Sequence, residues 1–97
     1  MEIEILQLLE GAKRARGLTV IIDVFRAFST ACYAFGNGIE RIYPVGDLDR
    51  AYQLKDQHPD YILVGERFEQ KPDGFDFGNS PSQLLESDLS GKTMVHT

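Results

Sequence analysis

The chain contains one cysteine, two histidines, two methionines and no tryptophan in 97 residues. A lone Cys32 excludes an internal disulfide framework and a cysteine-built zinc cluster, and it fits a reducing, cytoplasmic setting. Its side chain reads as a small core residue. Long hydrophobic runs are also missing: no stretch approaches the roughly 18 apolar residues of a membrane span. The opening "MEIEILQLLEGAKRARG" places acids where a secretory leader would be basic. Positive charge is scarce, with 10 Lys and Arg against 15 Asp and Glu and a net charge of -5. That balance argues against a protein whose main work is gripping nucleic-acid phosphates or an anionic membrane. His58 and His96 lack metal-ligand spacing and read as structural. Repeats, linkers and low-complexity tracts are absent, so the chain is expected to be a single α/β domain.

Changes in apolar period organise what remains. "LTVIID", Leu18 to Asp23, follows Gly17 as a continuous β-branched run and predicts a strand buried on both faces. "RAFSTACYAFGNG" has small or apolar residues at Ala27, Ala31, Ala34 and Phe35 and ends in Gly36, Asn37 and Gly38, predicting a helix with a glycine-type stop. Ile39 to Val45 reads as a strand. Asp47 is suited to cap a helix through "DLDRAYQLKDQH", and Pro59 marks its end. "YILVG" and "KTMVHT" read as further strands, with a short helix near "PSQLLES" between them. Residues 1–12 fit either an apolar helical stripe or, at "MEIEI", an alternating strand. The order predicts a mostly parallel sheet with helices packed on its faces, an incomplete α/β/α sandwich.

In such sheets ligands bind beyond the carboxyl ends of the strands. The first predicted strand ends at Asp23 and meets Arg26, Ser29 and Thr30 at a helix start, where backbone N–H groups, hydroxyls and a guanidinium suit an anion. The "YILVG" strand ends at Gly65, Glu66 and Arg67, so two carboxylates and two arginines are expected to face one crevice. From Gly65 to Ser80 the chain shows little regular pattern, a length that signals a functional loop. Alternation across "FDF" sends Phe75 and Phe77 to one side and Asp76 to the other.

"IIDVFRAFSTA", "PVGDLDRAYQLK", "LVGERFEQKPDGFDFGNSP" and "GKTMVHT" resemble, in order and spacing, the N-terminal part of the 2-phosphosulfolactate phosphatases of coenzyme M biosynthesis. The similarity runs from about Thr19 to Thr97, and several ordered motifs make it specific. It implies a magnesium-dependent α/β enzyme that hydrolyses a small anionic phosphate ester, 2-phosphosulfolactate. Carried over by position, Asp23, Arg26, Ser29 and Thr30, then Glu66 and Arg67, then Asp76, Asn79 and Ser80 are implied to line the site. Phe28 departs from the hydroxyl or small residue usual in the family. The family also continues beyond the strand matched by "KTMVHT", so the resemblance implies the N-terminal part of a longer phosphatase domain.

The residue types suit that chemistry. Mg²⁺ takes one or two carboxylates plus waters and substrate oxygens, which Asp23 and Glu66 could provide, while arginines hold the anion. Each residue also has a plainer role. Asp23 could cap the following turn with Arg26 as its ion-pair partner, and Glu66 and Arg67 could be ordinary loop charges. Ser80 could be a capping serine before Pro81 with Gln83 completing a capping box, and Asn79 a turn residue. The alternative to an enzyme is a non-catalytic module. A last strand left open at the sheet edge would favour homo-oligomers or association through that C-terminal edge.

Overall fold

A computed structural model gives the fold, and it describes residues 1–23 and 26–97. Three parallel strands form the sheet: β1 (Arg41–Pro44), β2 (Ile62–Val64) and β3 (Thr93–His96), in the order β1-β3-β2. Met94 stands between Ile42 and Ile62, and His96 between Pro44 and Val64. Among the described residues four helices accompany it: α1 (Leu8–Arg14), α2 (Ala27–Gly36), α3 (Leu48–Gln57) and α4 (Pro81–Leu85). This is the expected incomplete α/β sandwich.

Side chains alternate across a strand, and the two faces fill separate cores. Ile62, Val64 and Met94 pack with Ala34 of α2, Leu84 of α4, Ile39 and Leu89. Leu63 and Val95 pack with Ala51 of α3 and with Phe75. α3 starts where its sequence says it should, because the Asp47 side chain accepts from the Asp49 N–H at 3.0 Å. α2 stops at Asn37, whose side-chain amide donates to the Leu84 and Ser87 carbonyls and ties the end of α2 to α4.

Several expectations are corrected. Leu18–Asp23 forms no strand: Leu18, Val20, Ile21 and Ile22 are all exposed. Strand propensity expresses how well a residue fits a packed, pleated surface, and this run has no neighbour among the described strands. Val24 and Phe25, within the expected strand-to-helix segment, lie outside the described residues. Near the N-terminus the helix wins from Leu8 onward, whereas "MEIEI" belongs to no element. Cys32 is exposed, because Thr30 and Ala34 set the inner face of α2. The strand matched by "KTMVHT" is central and not at an edge: β3 is paired on both sides, and Met94 and Val95 are fully buried. The expectation that this strand would stand open at the sheet edge is not met, because β1 and β2 flank it.

The long loop has a structural task as well. Its return leg lies along the free side of β2, where Asp76 N–H and Phe77 N–H both donate to Leu63 O at 2.9 and 3.2 Å, and Gly65 N–H donates to Phe77 O at 3.0 Å. The Asp76 carboxylate accepts from Leu63 N–H at 2.8 Å. With two successive N–H groups converging on one carbonyl, the two-residue repeat breaks. Phe75 accordingly packs on the α3 face and Phe77 on the α2 face, not on one side.

Candidate active site at the strand ends

The chain turns sharply where β2 ends. Gly65 has φ +155°, and a Cβ there would stand 2.2 Å from the Thr97 carbonyl oxygen, so only glycine fits. The turn brings Glu66 up over the α2 face. Its Oε2 accepts from Arg26 Nη2 at 2.6 Å, and its Oε1 accepts from the Asn79 backbone N–H at 3.1 Å. Glu66 keeps only 17% of its side chain exposed, against 50% for Arg26. The Asn79 side chain continues the chain of contacts, with Oδ1 2.8 Å from His96 Nε2. Burial pushes the His96 pKa down, opposed by the nearby negative charge of Asp23.

Asp23, Arg26, Glu66 and Asn79 thus gather with His96 beyond the carboxyl ends of β2 and β3. Asp23 also accepts from the Phe28 N–H at 3.3 Å, so its carboxylate already occupies the first turn of α2. Arg67 goes elsewhere. It donates to Gly46 O at 2.9 Å, to Glu66 O at 2.9 Å and to the Thr97 hydroxyl, clamping the loop base on the other side of the sheet. The two arginines do not share one crevice. Thr30 is fully buried, and its hydroxyl has no hydrogen-bond partner among the described residues. Ser29 is half-buried on the same turn of helix. Asp76 serves the β2 edge, with Lys55 Nζ 3.9 Å from the same oxygen. Ser80 stands before Pro81 at the start of α4, but its hydroxyl meets Ser82 Oγ at 3.1 Å and forms no cap bond.

A polar hollow of about 580 Å³ opens on the other side of Glu66, bordered by Lys71, Asp76, Ser80 and Glu86 among others. Three carboxylates against one lysine make it a poor seat for a polyanion, so an anion is better placed on the Arg26 side. Sequence reasoning set His96 aside. The signal was its position, last on a strand at the ligand-binding edge.

The family model described as 2-phosphosulpholactate phosphatase matches residues 3–97. The chain belongs to that family. Relatives named "Probable 2-phosphosulfolactate phosphatase" include those of Thermoplasma acidophilum, 39% identical over 80 residues, and Thermotoga petrophila, 45% identical over 78 residues. These alignments cover 82% and 80% of this chain but 36% and 34% of the relatives. A third, from Carboxydothermus hydrogenoformans, is 40% identical over 96 residues, covering 98% of this chain and 40% of its own length. The chain therefore spans about a third of the length of the first relatives it matches. No described helix is long and apolar enough to cross a membrane.

Proposed function

We propose that this chain carries the anion- and metal-handling part of a phosphatase that converts 2-phosphosulfolactate to sulfolactate and phosphate, a cytoplasmic step of coenzyme M biosynthesis. The observation that supports it most directly is the Arg26–Glu66 pair, 2.6 Å apart at the carboxyl edge of a parallel sheet. A guanidinium held there by a carboxylate can exchange that partner for a phosphate, which offers the same planar pair of acceptor oxygens. Asp23 releasing the first turn of α2 would open backbone N–H groups to the same anion.

The donor set also suits magnesium. Among the described residues no group of three or more His, Cys, Asp or Glu could hold a metal ion. Mg²⁺ is nevertheless content with one or two carboxylates plus water, and Asp23 and Glu66 would hold it. When bound, the ion would neutralise charge on the phosphoryl oxygens and acidify a water. The chain's own residues do the rest: Arg26 orients the phosphate, the Asn79 backbone N–H holds Glu66 in place, and Ser29 lies on the same turn of helix as Arg26. Water adds to phosphorus, the P–O ester bond breaks, and the departing alkoxide takes up a proton. The test is release of phosphate from 2-phosphosulfolactate with and without Mg²⁺. Turnover abolished in Arg26→Ala is expected, and turnover indifferent to Arg26 would overturn the reading.

A second reading, self-association, is favoured by the exposed apolar residues Leu18, Val20, Ile21 and Ile22. A second copy burying these side chains would be compatible with the enzyme. Sedimentation that shows a monomer at all concentrations would discard it.

A further inference from the structure

His96 closes the central strand and shares a face with Met94, two residues before it. Its ring therefore stands at the top of the core that α2 and α4 cover. The Oδ1 of Asn79, an amide oxygen, can only accept, so the contact at 2.8 Å requires the proton on His96 Nε2. Burial favours the neutral ring, and a neutral ring protonated at Nε2 has a bare Nδ1. From Asn79 the network runs through the backbone N–H to Glu66 Oε1 at 3.1 Å and from Glu66 Oε2 to Arg26 at 2.6 Å. The end of the long loop is thus tied to the central strand by the imidazole and to the end of β2 by the carboxylate.

We propose that His96 is a positioning residue: acting through Asn79, it fixes the Glu66 carboxylate opposite Arg26 and contributes a donor at Nε2 in place of acid–base or ligand chemistry. The proposal rests on the phosphatase reading for its effect on turnover, whereas the link itself is a property of the fold. A hydrogen-bond donor is all the role requires. Glutamine, whose amide nitrogen can stand where Nε2 stands, should therefore replace histidine, although it is neither a base at neutral pH nor an equivalent metal ligand. Alanine should not.

Two measurements on the 97-residue chain decide it. In ¹⁵N-labelled protein the ring proton should reside on Nε2, and Asn79→Ala should abolish its protected signal. The backbone amide of Asn79 should shift in His96→Ala and stay in place in His96→Gln. A proton on Nδ1, or an Asn79 amide indifferent to both variants, would overturn the link. In steady-state hydrolysis of a phosphate monoester, His96→Ala should lower kcat by about 10- to 100-fold, as lost outer contacts commonly do, with KM nearly unchanged. His96→Gln should restore most of that loss. A glutamine variant as slow as the alanine variant would show that the ring itself reacts or ligates. A wild-type chain without turnover would instead contradict the phosphatase reading, and the nitrogen and amide signals would still decide the link.

Discussion

Glu66 has both carboxylate oxygens engaged, by a guanidinium on one side and a backbone N–H on the other. Glu66→Gln keeps the shape and most hydrogen bonds but removes the charge. Because Arg26 is half exposed, the pair is screened and adds little to stability. Melting should move by only a few degrees, about what a loss of ~0.5 kcal/mol gives in a domain of this size, while turnover should fall by ~10²-fold, the scale of losing one preorganised charge contact. Calorimetry and kinetics on the same sample check both. His96 yields a pH prediction. Burial lowers its folded pKa below the unfolded value of about 6.5. The unfolded chain therefore binds more protons as pH falls through that value, so stability declines below about pH 6.5 and levels off below the folded pKa. Denaturant midpoints against pH should show this slope, and His96→Gln should remove it. That Arg26 and Glu66 would share a crevice was legible from the strand ends, whereas their direct pairing and the meeting of Asn79 with His96 were not, since these contacts form only through the crossing of strands and loop. What the sequence did show was the residue types waiting at strand ends.

Among the elements, those with local signals were legible: α3 with Asp47 as its cap, α2 ending at its Gly-Asn-Gly, and the three short apolar strands. The run Leu18–Asp23 was not, because a β-branched composition declares a preference and the sheet decides whether a neighbour exists. Sheet order was equally hidden, as nothing local in "KTMVHT" says that two strands will flank it. The loop from Gly65 to Ser80 carries two further predictions. Asp76→Ala removes the acceptor of Leu63 N–H, a buried donor on a residue 1% exposed, and should cost about 1 to 3 kcal/mol by urea unfolding. At the loop tip, Arg67 and Gln70 exchange two backbone hydrogen bonds at 2.8 and 3.1 Å across Phe68 and Glu69, which have φ +52° and +63°. Such a turn favours Asn-Gly. Replacing Phe68 and Glu69 by Asn and Gly should stabilise the chain by roughly 0.5 to 1 kcal/mol by relieving left-handed strain, measured as a rise in the denaturant midpoint with unchanged slope.

For the whole molecule, a parallel sheet with one core on each face presents its strand ends to a single edge, and the charged cluster sits there. On the proposed reading the task of meeting an anion falls to Arg26, since Arg67 is committed to the loop base. Titration calorimetry with inorganic phosphate in the presence of Mg²⁺, on the wild-type chain and on Arg26→Ala, tests that division most directly. The account predicts saturable binding to the wild type and at least about tenfold weaker binding to the variant, the loss of one charge-assisted contact. Equal affinities in the two proteins would contradict it and move the anion away from the strand ends.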